Sequence, residues 1–214
     1  MFNFQGTRKP DFKNLENFDY NYYWDKKTSL RKYLRERECI FFNLINSDSK
    51  VLDVACGVSP LLANLKNKKE CEVLAFDISK NVIEQQKKEG VRAEAHDLSA
   101  PDFKLNDNFD YIILSEILEH LAHPEKLLSK IKNKTKFLVI SIPNSAFYRF
   151  RLGLLFKGRF FTQWAYHPSE HLRFWSYIDF VDWLGAMNIE VIKSIASNGL
   201  NIGPLRLFNF WKII

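Results

Sequence analysis

Apolar residues fall in short bursts along this chain, and the intervals between them define its elements. Val51 to Ala55 is an apolar run closed by the turn residues Cys56 to Pro60, which predicts a buried strand. Glu72 to Asp77, Val91 to Ala95, Phe109 to Ser115 and Phe137 to Ile142 repeat the pattern as strands two to five. Helical stretches separate them: Leu61 to Asn67, Ser79 to Glu89 with Ser79 as cap, and Pro124 to Lys132 with Pro at its start. Gly90 ends the second of these. Strands alternating with helices at this rhythm predict parallel βαβ units and an α/β fold with helices flanking a mostly parallel central sheet.

The ends of the chain read differently. Met1 to Asn17 reads as a polar arm. Tyr20 to Asn46 carries an apolar stripe of helical spacing through Leu30, Tyr33, Leu34, Ile40, Phe41, Leu44 and Ile45. Ser145 to Trp164 is aromatic and basic and interrupts the alternation, as an inserted lid over about 145–175 would. Tyr177 to Met187 predicts a helix, and Ile189 to Ala196 a last strand. The tail from Leu200 is apolar and is expected to pack on the domain or on a second subunit. The expected organisation is an N-terminal arm and helix over 1–49, then one domain over 50–214.

Composition narrows the class. The 214 residues are 46% apolar, enough for a sizeable core, and include 19 Phe, 8 Tyr and 5 Trp. A net charge of +6 favours anionic partners, although solubility alone accounts for it equally well. Cys39, Cys56 and Cys71 form no CxxC pair, so neither a disulfide framework nor a zinc cluster is indicated; no metal is expected, and a reducing cytoplasm fits. No stretch has the length of a transmembrane helix or the apolar run of a signal peptide.

Candidate chemistry sits at the carboxyl ends of the strands, where open parallel sheets bind ligands. After strand one comes Asp53-Val54-Ala55-Cys56-Gly57, a turn whose glycine lets backbone approach a ligand. Asp77 ends strand two, placed to accept hydrogen bonds from both hydroxyls of a ribose. Asp97-Leu98 follows strand three; the acid suits an adenine amino group, while Leu98 and Ile78 flank the ring. The turn lacks GxGxxG, which weighs against a pyrophosphate cofactor. Cys56 reads as a small buried hydrophobe.

Val51 to Gly57, Phe76-Asp77, Asp97-Leu98 and Phe109 to Ile113 together resemble motifs of the class I S-adenosylmethionine-dependent methyltransferases. The departures are Ala55 and Ser59, where that family usually has glycine. Glu119-His120, Pro124, Pro143-Asn144, Arg149, Arg151, Gly158-Arg159, His171 and Asp179-Phe180 further resemble the MetW-like branch, over about Lys50 to Val191. The resemblance implies a Rossmann-like fold and S-adenosyl-L-methionine as cofactor, held by Asp53, Ala55, Cys56, Gly57, Asp77, Ile78, Asp97 and Leu98. Ser115 and Glu116 are expected near the methionyl group, and Tyr22 is expected to touch the cofactor as N-terminal aromatics do in similar enzymes.

The acceptor is less legible. A hydroxyl acceptor must lose a proton, and histidine suits that task near neutral pH. His171 is the expected base or acceptor ligand; a loop-bracing histidine is the plainer alternative. Glu119 and His120 are placed to polarise the acceptor or to hold the loop, and Asn144 to orient a hydroxyl. Arg149, Arg151, Lys157, Arg159 and Arg173, with His167, suggest an anionic small-molecule acceptor such as a nucleotide-linked sugar. Solvated arginines over a hydrophobic lid explain the same charge. Three competing readings remain: an RNA or protein methyltransferase, a non-catalytic cofactor-binding scaffold, and a peripheral membrane protein.

Overall fold

The computed structural model describes residues 30–158 and 171–197. Five strands form one parallel sheet: β1 (Lys50–Val54), β2 (Glu72–Asp77), β3 (Arg92–Ala95), β4 (Phe109–Ser115) and β5 (Thr135–Ser141), in the order β3-β2-β1-β4-β5. The helices are α1 (Glu36–Leu44), α2 (Leu61–Lys69), α3 (Lys80–Lys88), α4 (Pro124–Ile131), α5 (Tyr148–Lys157) and α6 (Tyr177–Ala186). Strand order reverses between β1 and β4, and such a switch point opens a crevice at the carboxyl ends of the strands. The register sets Asp53 beside Ala75 and Ile113, and Asp77 beside Ala95.

The described residues fall in two compact units. The first holds 30–117 and 123–141, and so the whole sheet. Its core is continuous and apolar, with Val51, Leu65, Ala75, Val82 and Ile113 fully or almost fully buried. β1 reads as an apolar run, interrupted after Leu52 by Asp53, because helices cover both faces of a parallel sheet. Burying each of the Val, Leu and Ile side chains named contributes about 1.5–3 kcal/mol. Phe41 of α1 and Ile45 just after it join this core, with Leu30, Leu34, Phe42 and Leu44 against it. Ser79 caps α3, its Oγ accepting from the Val82 amide at 3.4 Å.

The second unit holds 118–122, 142–158 and 171–197. Trp175, Phe180 and Trp183 form its aromatic centre, with ring centroids 5.2–5.5 Å apart. Ser176 and Asp179 cap α6 reciprocally: the Asp179 amide donates to Ser176 Oγ at 3.1 Å, and that hydroxyl donates to the Asp179 carboxylate at 2.6 Å. The family-like Asp179 therefore has a structural task.

Two expectations fail locally. The helix expected from Tyr20 is absent over its described part before Glu36, where Leu30 to Arg35 runs as an irregular strap. The Arg31 amide donates to the Val58 carbonyl at 3.2 Å, and Glu38 accepts from the Arg35 amide at 2.7 Å, fixing the helix start there. Tyr33, counted in the apolar stripe, is consequently 72% exposed. The strand expected over Ile189 to Ala196 also does not form: it pairs with no other described strand, and Ile192 faces solvent. Within the inserted region, Tyr148–Lys157 is helical.

Candidate functional site

The turn after β1 is built around positive φ angles. Ala55 stands at +66° and Gly57 at +53°. The first is a left-handed conformation that costs a side-chain-bearing residue about 1–2 kcal/mol. Surrounding groups enforce it. The Cys56 amide donates to the Phe76 carbonyl at 3.0 Å, and Gln86 of α3 donates to the Gly57 and Ser59 carbonyls at 2.9 and 3.0 Å. Cys56 is buried, and burial pushes its thiol well above the ordinary range, so it is the inert hydrophobe expected.

Asp77 grips this turn from the next strand. One carboxylate oxygen accepts from the Gly57 amide and the other from the Ser79 amide, each at 2.9 Å. A carboxylate has about four lone-pair sites, so each oxygen can take a further donor. Burial raises the Asp77 carboxyl above its ordinary value, against the amides of Ser79, Gly57 and Ile78. Ile78 beside it is 46% exposed, an uncovered apolar side chain at the strand end. Asp97 is exposed and turns back to accept from the Ser99 amide at 2.8 Å; Leu98 is half-buried. His96 packs on Phe76 at 4.3 Å between ring centroids, a structural role.

Asp53 is buried on β1, and its Oδ1 has no hydrogen-bond partner among the described residues. Its carboxyl is pushed up to about 8, chiefly by burial and then by the charges of Glu38 and Asp77, against Arg37. Arg37 pairs with Glu116, which follows β4 at a φ of +52°. Ser115, the last residue of β4, is half-buried and lies opposite Ser141 of β5.

Glu38 is the residue that sequence reading missed. It is 3% exposed and takes a two-oxygen salt bridge from Arg31 and a hydrogen bond from Ser59 Oγ at 2.8 Å. Burial works to raise its carboxyl, yet the Arg31, Arg35 and Ser59 hydrogen bonds together hold it below the ordinary value. The one available signal was Ser59, a hydroxyl where the family pattern has glycine.

In the second unit, Glu119, His120 and His171 converge, their potential ligand atoms all within 4.8 Å of one another. The two imidazoles meet edge to face at 4.7 Å. Burial, and then His120, lowers the His171 pKa to about 4. The Glu119 carbonyl accepts from the Leu172 and Arg173 amides at 2.7 and 3.1 Å, which pins the two segments together. Asn144 uses its side-chain oxygen locally, accepting from the Ala146 amide at 3.0 Å.

Among the described cations of the inserted region, two are engaged locally. Arg149 donates to the Tyr148 hydroxyl at 3.1 Å, and the Arg173 guanidinium donates to the Ala122 carbonyl. Arg151 is exposed, and two residues along a helix from Arg149 it faces another side. Tyr22, Arg159 and His167 lie outside the described residues. All three cysteines are free, and no described helix is long and apolar enough to cross a membrane.

The family model of methionine biosynthesis protein MetW matches residues 35–212. The chain belongs to the MetW family. A curated relative, the bifunctional methionine biosynthesis protein MetXA/MetW of Rhodopirellula baltica, is 25% identical over 169 residues, or 71% of this chain. The chain spans only 27% of that protein's length. Among solved structures, a SAM-dependent methyltransferase from Aquifex aeolicus superposes with a TM-score of 0.58 at 19% identity, covering 84% of this MetW chain and 93% of its own. A SAM-dependent methyltransferase from Thermotoga maritima gives 0.51 at 14% identity, covering 74% and 73%. At these identities the likeness establishes a Rossmann-like methyltransferase fold, as expected from the sequence.

Proposed function

We propose that this MetW-family chain is an S-adenosylmethionine-dependent methyltransferase. The observation that carries the reading is Asp53 Oδ1, a buried acceptor with no described partner beside a turn at positive φ. The ammonium of the cofactor's amino acid portion would satisfy that oxygen and offset the crowded charges of Asp53, Asp77 and Glu38. Ala55, Cys56 and Gly57 would offer backbone to the same portion. Asp77 would take the ribose hydroxyls with its remaining lone pairs, Ile78 and Leu98 would flank the adenine, and Asp97 would accept from its amino group. Ser115 and Glu116 would border the methionyl end, with Arg37 holding the Glu116 carboxylate in place.

When bound, the cofactor supplies a methyl group on a sulfonium for in-line displacement. The proposed acceptor is a hydroxyl on a small anionic metabolite, of which a nucleotide-linked sugar is the leading example. Glu119, His120 and His171 are the proposed acceptor contacts, with Asn144 orienting through its free amide hydrogens. Arg151 is the exposed guanidinium that supports an anionic acceptor. The test is calorimetric titration with S-adenosylmethionine, followed by methyl-transfer assays on phosphorylated and unphosphorylated sugars. Binding and turnover support the reading; absence of cofactor binding by folded protein refutes it.

A second reading is a non-catalytic, cofactor-binding partner in methionine biosynthesis. It is favoured by the relative's name, which joins MetXA and MetW in one bifunctional chain. Cofactor binding without transfer to any acceptor, together with binding to a MetXA protein, would select it.

A further inference from the structure

We propose that Glu119, His120 and His171 form a binding site for one first-row divalent cation. Two imidazoles and one carboxylate are a donor set suited to zinc, manganese, cobalt or iron, whereas magnesium and calcium favour all-oxygen shells. The three donors come from two segments, 118–122 and 171–173, joined by two backbone hydrogen bonds at the Glu119 carbonyl. That joint fixes the spacing before any ion arrives. The ligand atoms already lie within 4.8 Å of one another. Donors 2.0–2.2 Å from one ion stand about 3–3.5 Å apart, a contraction within reach of side-chain rotation.

The surroundings fit an ion as well. Glu119 is buried at 1% exposure, and a divalent cation would offset the cost of keeping its carboxylate charged there. His120 and His171 are half-buried, leaving an approach for the ion and for a further ligand. Three protein donors leave at least one position open on a four-coordinate ion, as in catalytic rather than structural sites. A hydroxyl or phosphate oxygen is the class of ligand that position would take; this last step rests on the methyltransferase reading, whereas ion binding does not.

The experiment titrates the full chain, stripped with EDTA, with cobalt chloride in the absence of cofactor. The expected result is one equivalent bound, with visible absorption from cobalt. His171→Gln and Glu119→Gln should each weaken affinity by at least about tenfold. Circular dichroism checks that each variant is folded, and His120→Gln replaces either one that is not. No cobalt binding by the folded wild-type chain, or equal binding by wild type and the folded variants, overturns the proposal. A parallel titration with S-adenosylmethionine separates failure here from failure of the methyltransferase reading.

Discussion

The hydroxyl of Ser59 donates to the buried carboxylate of Glu38 at 2.8 Å, joining the turn after β1 to the helix that precedes it. Glu38 also receives Arg31 and the Arg35 amide, so one carboxylate gathers the strap, the start of α1 and the turn. Removing it strands a partly buried guanidinium and a hydroxyl. Glu38→Ala should lower unfolding free energy by about 2–4 kcal/mol, measured by urea denaturation. Ser59→Gly, which restores the family pattern, should cost less, about 1 kcal/mol.

Asp77→Asn keeps the shape of the side chain but removes the charge and one of the two oxygens that accept from the Gly57 and Ser79 amides. Affinity for S-adenosylmethionine should fall by about 1.5–3 kcal/mol, the scale of a charged hydrogen bond. Calorimetry at fixed salt checks this, and unchanged affinity would contradict the ribose role.

Stability without cofactor should depend on pH through Asp53. An aspartate carboxyl ordinarily titrates at 3.8, whereas that of Asp53 titrates at about 8 in the folded chain. Between those values the folded state keeps a proton that the unfolded state has released. Stability present below the lower value is therefore lost as pH rises towards the upper one. Thermal unfolding from pH 5 to 8.5 should show this fall, and Asp53→Asn should flatten its share of the slope.

Ala55 occupies a backbone conformation that glycine adopts freely. Ala55→Gly relieves the left-handed strain but frees the unfolded chain. The net expectation is a gain of up to about 1 kcal/mol, read from the denaturation midpoint.

The sheet was legible because each strand is a short apolar run closed by turn residues, and a parallel sheet covered on both faces demands that pattern. β4 matches its expected limits, Phe109 to Ser115, residue for residue. The placement of Asp53, Asp77 and Asp97 at or just beyond the carboxyl ends of β1 to β3 was legible from the same pattern, whereas their roles towards a cofactor are the proposal made above. Glu38 was not: its partner Ser59 lies 21 residues away, and periodicity carries no information on which polar groups will meet. The metal-like cluster was missed for a similar reason. Cysteine spacing was the criterion applied to metals, while Glu119-His120 and His171 are separated by about fifty residues and are brought together by tertiary contacts that spacing does not show. The failed strand at Ile189 shows the opposite limit, an apolar segment with no ladder partner among the described residues.

The strap also bears on how this molecule can be cut. Trimming to Lys50 would retain every recognisable motif and all five strands, and would discard Arg31 and Glu38 together. Such a minimal piece would hold the bend after β1 from the α3 side, through Gln86, and from β2, through Asp77 and the Phe76 carbonyl. Anyone grafting the sheet onto another protein should begin the transplanted segment ahead of Leu30.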